Sequence, residues 1–301
     1  MPPELDMPRL ETRRTRSADG TLIAYYATDP PRPDAPVLVL ANGLAGHHRV
    51  WAAQLRYFGD RYRIVTWDYR GLFGSAHPVT GQSDLYGMVR QIEDLQAVLR
   101  AEDLGDIGLI GWSVGVQVAL EAYRRMPERI RCLVLVNGAA GRPFDGVLGM
   151  PLVSRLVTRA VGWTGRGRQL LGAAMGTPVR RRRVARALRL AGLVAPTLAP
   201  ELVERLVGDI SDLSLSAFDS TLRALAAHDA SDVLPTVTVP TLVMAGARDP
   251  FTPPALAHRM ARALPNSDIL VVPQGRHFLC LEFPDLVNLR LEQFLQDADL
   301  V

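Results

Sequence analysis

Short, uninterrupted apolar runs punctuate this chain, the clearest being Val37 to Ala41, Ile107 to Gly111 and Cys132 to Val136. Runs of that length, rich in Val, Ile and Leu and bounded by Gly, Asn or Pro, are the pattern of strands covered on both faces. Thr21 to Ala27, Arg63 to Trp67, Thr241 to Ala245 and Ile269 to Val272 read the same way. Between them the apolar spacing switches to three and four. Ser83 to Arg100 reads as a helix, with Ser83 or Asp84 as N-cap and Met88, Ile92, Leu95 and Leu99 in one stripe, and Val114 to Met126 reads as another. Strands alternating with helices predict an α/β fold, a mostly parallel twisted sheet flanked by helices. Arg9 to Ser17 is either a first antiparallel strand or a frayed arm.

From Val136 to Thr241 the pattern is helical with no good strand, which predicts an insertion. The expected organisation is a core over 1–140, a helical lid over 141–234, and the rest of the core over 235–301. All 34 basic side chains are arginine, and ten of them lie between Gly146 and Pro200, where there is no acid. The run Arg180-Arg181-Arg182-Arg183, continued by Arg186 and Arg189, concentrates charge on one lid helix. It suits a carboxylate, a phosphopantetheine, a carrier protein or an acidic membrane surface, and equally a solvated helix face. No apolar run reaches the roughly 18 residues of a membrane span, and Met1 to Arg16 lacks the apolar stretch of a secretory leader. With only Cys132 and Cys280, both amid apolar residues, the expectation is a cytoplasmic protein with reduced core thiols.

The candidate chemistry lies at Gly111-Trp112-Ser113-Val114-Gly115, where strand gives way to helix. A serine between two glycines at such a turn is lifted out of the backbone as an exposed nucleophile. A hydroxyl needs a histidine to take its proton and an acid to orient that histidine. Asp249 follows one apolar strand and His277 follows the next, so the three fall at strand carboxyl ends in the order Ser, Asp, His. His47, His48, His77, His228 and His258 are rivals for the base, with His47 and His48 placed either to touch substrate or to start a surface helix. Asn137 occupies the other strand end where an acid could stand, which leaves Asp249 favoured.

From Leu22 to Leu295 the chain resembles the α/β-hydrolase superfamily, in its serine esterase and lipase-like branch. The resemblance is carried by the serine pentapeptide, Asn42-Gly43-Leu44, Asp68-Tyr69-Arg70-Gly71, Pro240-Thr241-Leu242, the Asp249 turn, and His277-Phe278 with Glu282 and Pro284. Asn42 stands where the family usually has His, and Gly74 comes one residue later than usual. The resemblance implies Ser113 as nucleophile, His277 as general base, Asp249 as its orienting acid, and the backbone N–H groups of Leu44 and Val114 as oxyanion hole. Gly43, His47, Trp112 and Phe278 are the candidate pocket residues, Trp112 serving equally as a packing residue. Aspartate-nucleophile relatives, the haloalkane dehalogenases and epoxide hydrolases, are excluded because residue 113 is serine.

The expected reaction is hydrolysis of a small-molecule carboxylic ester or lactone through an acyl-serine, which requires no metal and no organic cofactor. Gly-Trp-Ser also resembles the elbow of the esterase that demethylates a carrier-protein-bound ester in biotin synthesis, which the basic lid would fit. Acyl transfer, carbon–carbon bond hydrolysis and cofactor-free haloperoxidation use the same three residues. A ligand receptor on the same fold is the non-enzymatic alternative.

Overall fold

The structure is a computed structural model, and it describes residues 10–44, 46–79, 83–141, 178–190, 192–211 and 213–300. Eight strands form one sheet: β1 (Leu10–Arg16), β2 (Leu22–Thr28), β3 (Val37–Ala41), β4 (Arg63–Trp67), β5 (Ile107–Trp112), β6 (Ile130–Val136), β7 (Thr241–Gly246) and β8 (Ser267–Val272). Their spatial order is β1-β2-β4-β3-β5-β6-β7-β8. Pairing is parallel from β4 through β8, while β1–β2 and β2–β4 are antiparallel. The arm of uncertain character is therefore a strand, in register with β2 from Leu10↔Thr28 to Arg16↔Leu22. Its alternating exposure is that of an edge strand with one wet face.

The central strands are apolar throughout because both faces are covered. Leu38, Leu40, Ile110, Trp112, Val134 and Val136 face one layer, with α1 (Ala52–Phe58) and, late in the chain, Pro284–Asp297 packed on it. The alternate residues Val39, Leu109, Leu133 and Leu135 face the other, packed by α2 (Met88–Ala101) and α3 (Gly115–Arg125). The remaining helices are α4 (Pro178–Leu190), α5 (Pro200–Ser211), α6 (Leu215–Ala227), α7 (Pro254–Ala263), the single turn α8 (Leu279–Glu282) and α9 (Pro284–Asp297). Helices α4 to α6 stand between β6 and β7 in the chain, while residues 142–177 of the expected lid lie outside the described residues. The stripe Met88, Ile92, Leu95, Leu99 is buried as expected. The helix start is later than read: Ser83–Tyr86 is a 3₁₀ turn, and Gly87, extended at φ −67°, ψ 164°, is the N-cap of α2. Gly87 interrupts the apolar spacing with a residue that favours a break over a helical turn.

The turn after β4 is a polar clasp. Arg70, fully buried, donates to both oxygens of buried Asp94, at 2.9 and 2.5 Å, to Asp19 at 2.8 Å and to the Leu85 carbonyl at 2.7 Å. Asp68, also fully buried, accepts from the Tyr26 hydroxyl at 2.8 Å and from the Gly74 N–H at 3.0 Å. The extra residue before Gly74 is accommodated by Phe73, which sits in the left-handed region at φ 48°. Burial raises the Asp68 carboxyl from an ordinary 3.8 to about 6, against the hydrogen bonds from Gly74 and Tyr26 and the charge of Arg49.

Two outcomes follow from the clasp. Arg70→Met strands a buried carboxylate and is expected to cost about 3–5 kcal/mol in chemical unfolding, most of it recovered in the double variant Arg70→Met/Asp94→Leu. The folded chain holds the Asp68 proton more tightly than the unfolded chain, so that contribution to stability is full below pH 3.8 and is lost as pH rises through about 6. His47 and His48, lowered by burial to about 4 and about 3, titrate with the opposite sign. The difference in stability between the native protein and Asp68→Asn isolates the acid, and is expected to shift against the native chain by about 2 kcal/mol from pH 4 to pH 7.

Candidate active site

Ser113 stands between the end of β5 and the start of α3 in the left-handed region, at φ +58°. That backbone is unfavourable for any residue with a Cβ, so neighbouring contacts must hold it. The Ser113 N–H donates to the Val136 carbonyl at 2.9 Å. Gly111 and Gly115 are required by close approach: a Cβ on the first would strike the Gly115 carbonyl, and one on the second the Ala41 carbonyl. The turn is thus pressed between β3 and β6, and its hydroxyl is aimed away from the sheet.

Three loops at the carboxyl edge converge there. His277 Nε2 lies 3.0 Å from Ser113 Oγ, and His277 Nδ1 lies 2.8 Å from Asp249 Oδ2. Asp249 is held from several sides. Its Oδ1 accepts from the Phe251 and Thr252 N–H groups at 2.8 and 3.1 Å, and its Oδ2 from the Thr252 hydroxyl at 2.6 Å and the Asn137 amide at 2.7 Å. Burial pushes the carboxyl up, but the charge of His277 and these hydrogen bonds outweigh it and hold Asp249 below the ordinary carboxylate range. Asn137, left-handed at φ 45°, also donates to the Arg276 carbonyl at 3.0 Å. The Trp112 indole N–H donates to the His277 carbonyl at 2.8 Å, so the residue before the serine anchors the histidine loop. Arg248 N–H to Gly275 carbonyl, at 2.9 Å, ties the acid turn to that loop.

Glu282 supports the histidine loop from below. Buried, it accepts from the Arg276 N–H at 2.7 Å with one oxygen and from the Ala195 N–H, between α4 and α5, at 3.1 Å with the other. Burial raises its carboxyl above the ordinary range, opposed by its backbone donors.

The backbone N–H groups of Leu44 and Val114 flank Ser113, and among the described residues neither donates to an acceptor in the chain. The strand end before Leu44 is fixed by Asn42, whose amide donates to the Trp67 carbonyl at 2.8 Å, accepts from the Trp51 indole at 2.7 Å, and whose carbonyl accepts from Tyr69 at 2.5 Å. Asn42 therefore works as a brace and is buried away from the serine.

A cavity of about 320 Å³ opens over Ser113 and His277. Trp112, Phe278 and Leu44 line it, together with Phe251 and residues of α4, α5 and α6. Gly43 and His47 are not among its lining residues. Gly43 lies beneath the Trp112 ring, where a Cβ would come within 2.8 Å. His47 turns instead to the Tyr26 hydroxyl at 3.2 Å and stacks on His48. Both histidines are half-buried rather than at a surface helix start, because the 3₁₀ turn at His48–Trp51 folds back over β2. His258 and His77 are exposed, and His228 sits by Glu121. In the arginine run Arg182 pairs with Glu204 at 3.3 Å and Arg189 donates to the Pro196 carbonyl at 2.5 Å, while the Arg180 side chain lies outside the described residues. Cys132 and Cys280 are free, buried thiols pushed up to about 12.

Sequence reasoning passed over Thr252 and Phe251, and read Asn137 only as a strand end without an acid, not as a donor to Asp249. Thr252 carried a legible signal, since Asp249-Pro250-Phe251-Thr252 has the spacing of an acid capping its own turn. The contact of Asn137 depends on β6 and β7 being neighbours, which local sequence does not state.

No helix among the described residues is long and apolar enough to cross a membrane. A family model described as alpha/beta hydrolase fold matches residues 36–284. The chain is 26% identical over 290 residues to 3-oxoadipate enol-lactonase 2 of Acinetobacter baylyi, covering 96% of this chain and 99% of that one. It is 27% identical over 272 residues, 88% of this chain and 95% of the other, to a protein of Agrobacterium fabrum provisionally named a carbamate hydrolase, RutD. An esterase structure from Exiguobacterium antarcticum superposes with a TM-score of 0.76 at 21% identity, covering 95% of this chain and all of that one, a likeness of fold. With a model match across most of its length and the serine elbow, acid turn and histidine loop in one sheet edge, the chain belongs to the alpha/beta hydrolase fold family.

Proposed function

We propose that this hydrolase cleaves a carboxylic ester or lactone through an acyl-serine intermediate, with Ser113 as nucleophile, His277 as general base and Asp249 as its orienting acid. The observation that carries the reading is the relay from Ser113 Oγ to His277 Nε2 at 3.0 Å and from His277 Nδ1 to Asp249 Oδ2 at 2.8 Å, beneath a cavity. The lactonase named among relatives of similar length supports the substrate class.

In this scheme His277 Nε2 takes the Ser113 proton as Oγ attacks the acyl carbon. The former carbonyl oxygen takes up the charge and meets the unpaired N–H groups of Leu44 and Val114. The same imidazole returns its proton to the leaving alkoxide, and the C–O bond breaks. A water then gives its proton to His277 and attacks the acyl-serine, and Ser113 recovers its proton as the acid departs. Asp249 keeps Nδ1 protonated throughout, so that Nε2 faces Ser113 as an acceptor. The described helices α4 to α6 of the insertion act as a lid in this scheme, since their residues line the cavity. Acyl transfer differs only in the acceptor of the second half-reaction, and an added alcohol that diverts product from acid to ester distinguishes it.

Ser113→Ala is expected to lower turnover of p-nitrophenyl butyrate by about six orders of magnitude, to background, and to abolish labelling by a fluorophosphonate. Unchanged turnover in that variant would sink the proposal. Asp249→Asn is expected to cost about 10⁴-fold in kcat. Because the Asn137 amide already touches Asp249 Oδ2 at 2.7 Å, adding Asn137→Asp to that variant moves the acid by one hydrogen bond. The expected result is recovery of part of the lost kcat, read against Asn137→Asp alone.

A further inference from the structure

Apart from Ser113 and His277, every described residue lining the cavity is glycine, aliphatic or aromatic. The one other nitrogen-bearing ring there, Trp112, spends its N–H on the His277 carbonyl. Val50 lies on the core side, Val203, Leu206 and Val207 on α5, and Phe218 on α6. Among the described side chains of α4 no arginine lines the cavity. Leu188 is the α4 residue in the cavity, whereas Arg182, Arg186 and Arg189 line a separate groove with Glu204 and Pro196. The nearby Arg49 is paired with Asp209 at 2.7 Å outside the lining.

A neutral chain entering this space gains from burial at every methylene. An ionised carboxylate entering it surrenders its hydration and, among the described lining residues, finds no side-chain donor beyond Ser113 and His277, which are engaged with the reacting carbonyl. The volume of about 320 Å³ holds roughly ten non-hydrogen atoms at the ~30 Å³ each takes in a liquid. Resting on the ester hydrolysis proposed above, we infer that the substrate's acyl group is a neutral, apolar chain of medium length, and that the site rejects acyl groups ending in a free carboxylate. Arg182, Arg186 and Arg189, gathered in their own groove, thus do not select an anionic substrate at the serine.

The test is kcat/KM for p-nitrophenyl esters from acetate to dodecanoate, beside the hydrogen suberate ester, which matches octanoate with a terminal carboxylate. The expected result is a rise of about 4-fold per methylene until the cavity fills near eight to ten carbons. The suberate ester is expected about 100-fold below octanoate. Ile210, exposed at the cavity rim on α5, supplies the second arm: Ile210→Arg places a cation there and is expected to narrow the octanoate-to-suberate ratio at least tenfold. A flat chain-length profile, or suberate within tenfold of octanoate, in an enzyme whose acetate hydrolysis requires Ser113, overturns this inference alone. Absence of any Ser113-dependent turnover and labelling overturns the hydrolase reading and this one with it.

Discussion

Everything at the carboxyl edge depends on one backbone conformation, Ser113 at φ +58°. The cost of such a residue is of order 1–3 kcal/mol and persists only where surrounding structure over-determines it. Here the over-determination is steric and comes from three strands at once. Gly111 and Gly115 meet with no room for a side chain, Gly115 rests on the Ala41 carbonyl of β3, and Gly138 after β6 rests on the Ser113 carbonyl. The parallel order β3-β5-β6 is what brings those carbonyls to the same place. A sheet assembled in another order would leave the serine free to relax into an ordinary dihedral and lose its aim.

The second organising feature is that the reactive groups are fastened to one another through backbone atoms. Trp112 reaches across to the His277 carbonyl, Asn137 to the Arg276 carbonyl, and Arg248 to the Gly275 carbonyl. Side-chain geometry at the serine is therefore inherited from loop geometry, and the loops share their hydrogen bonds before the side chains do. Phe251 stands edge-on to His277 with ring centroids 4.9 Å apart and so packs against the imidazole.

The fold was legible because its signal is local. Short apolar runs and a helix stripe with period near 3.6 need only a few neighbours to read, and β3, β4 and the stripe of α2 stand where they were expected. Ser113, Asp249 and His277 were legible because each follows such a run. What was hidden depends on pairs distant in sequence. That the arm ending at Arg16 is a strand rests on its pairing with β2, a contact its half-polar spelling does not announce. His47 lies three residues past Leu44, a spacing that suggests a place at the substrate, but Tyr26 on β2 and its neighbour His48 claim it. Asn137 and Asp249 meet only because β6 and β7 are adjacent, a fact of topology rather than spelling.

Glu282 has a consequence for how the inserted helices and the core behave as bodies. Its two oxygens are divided between the Arg276 N–H, one residue before His277, and the Ala195 N–H, at the seam between α4 and α5. A buried carboxylate stripped of a donor is left under-solvated, so separating the inserted helices from the core carries an electrostatic penalty felt at the histidine loop. The α4–α5 seam and the histidine loop are in that sense fastened to one buried carboxyl group. The support of the imidazole and the seat of the α4–α5 seam are thus drawn from the two oxygens of one side chain.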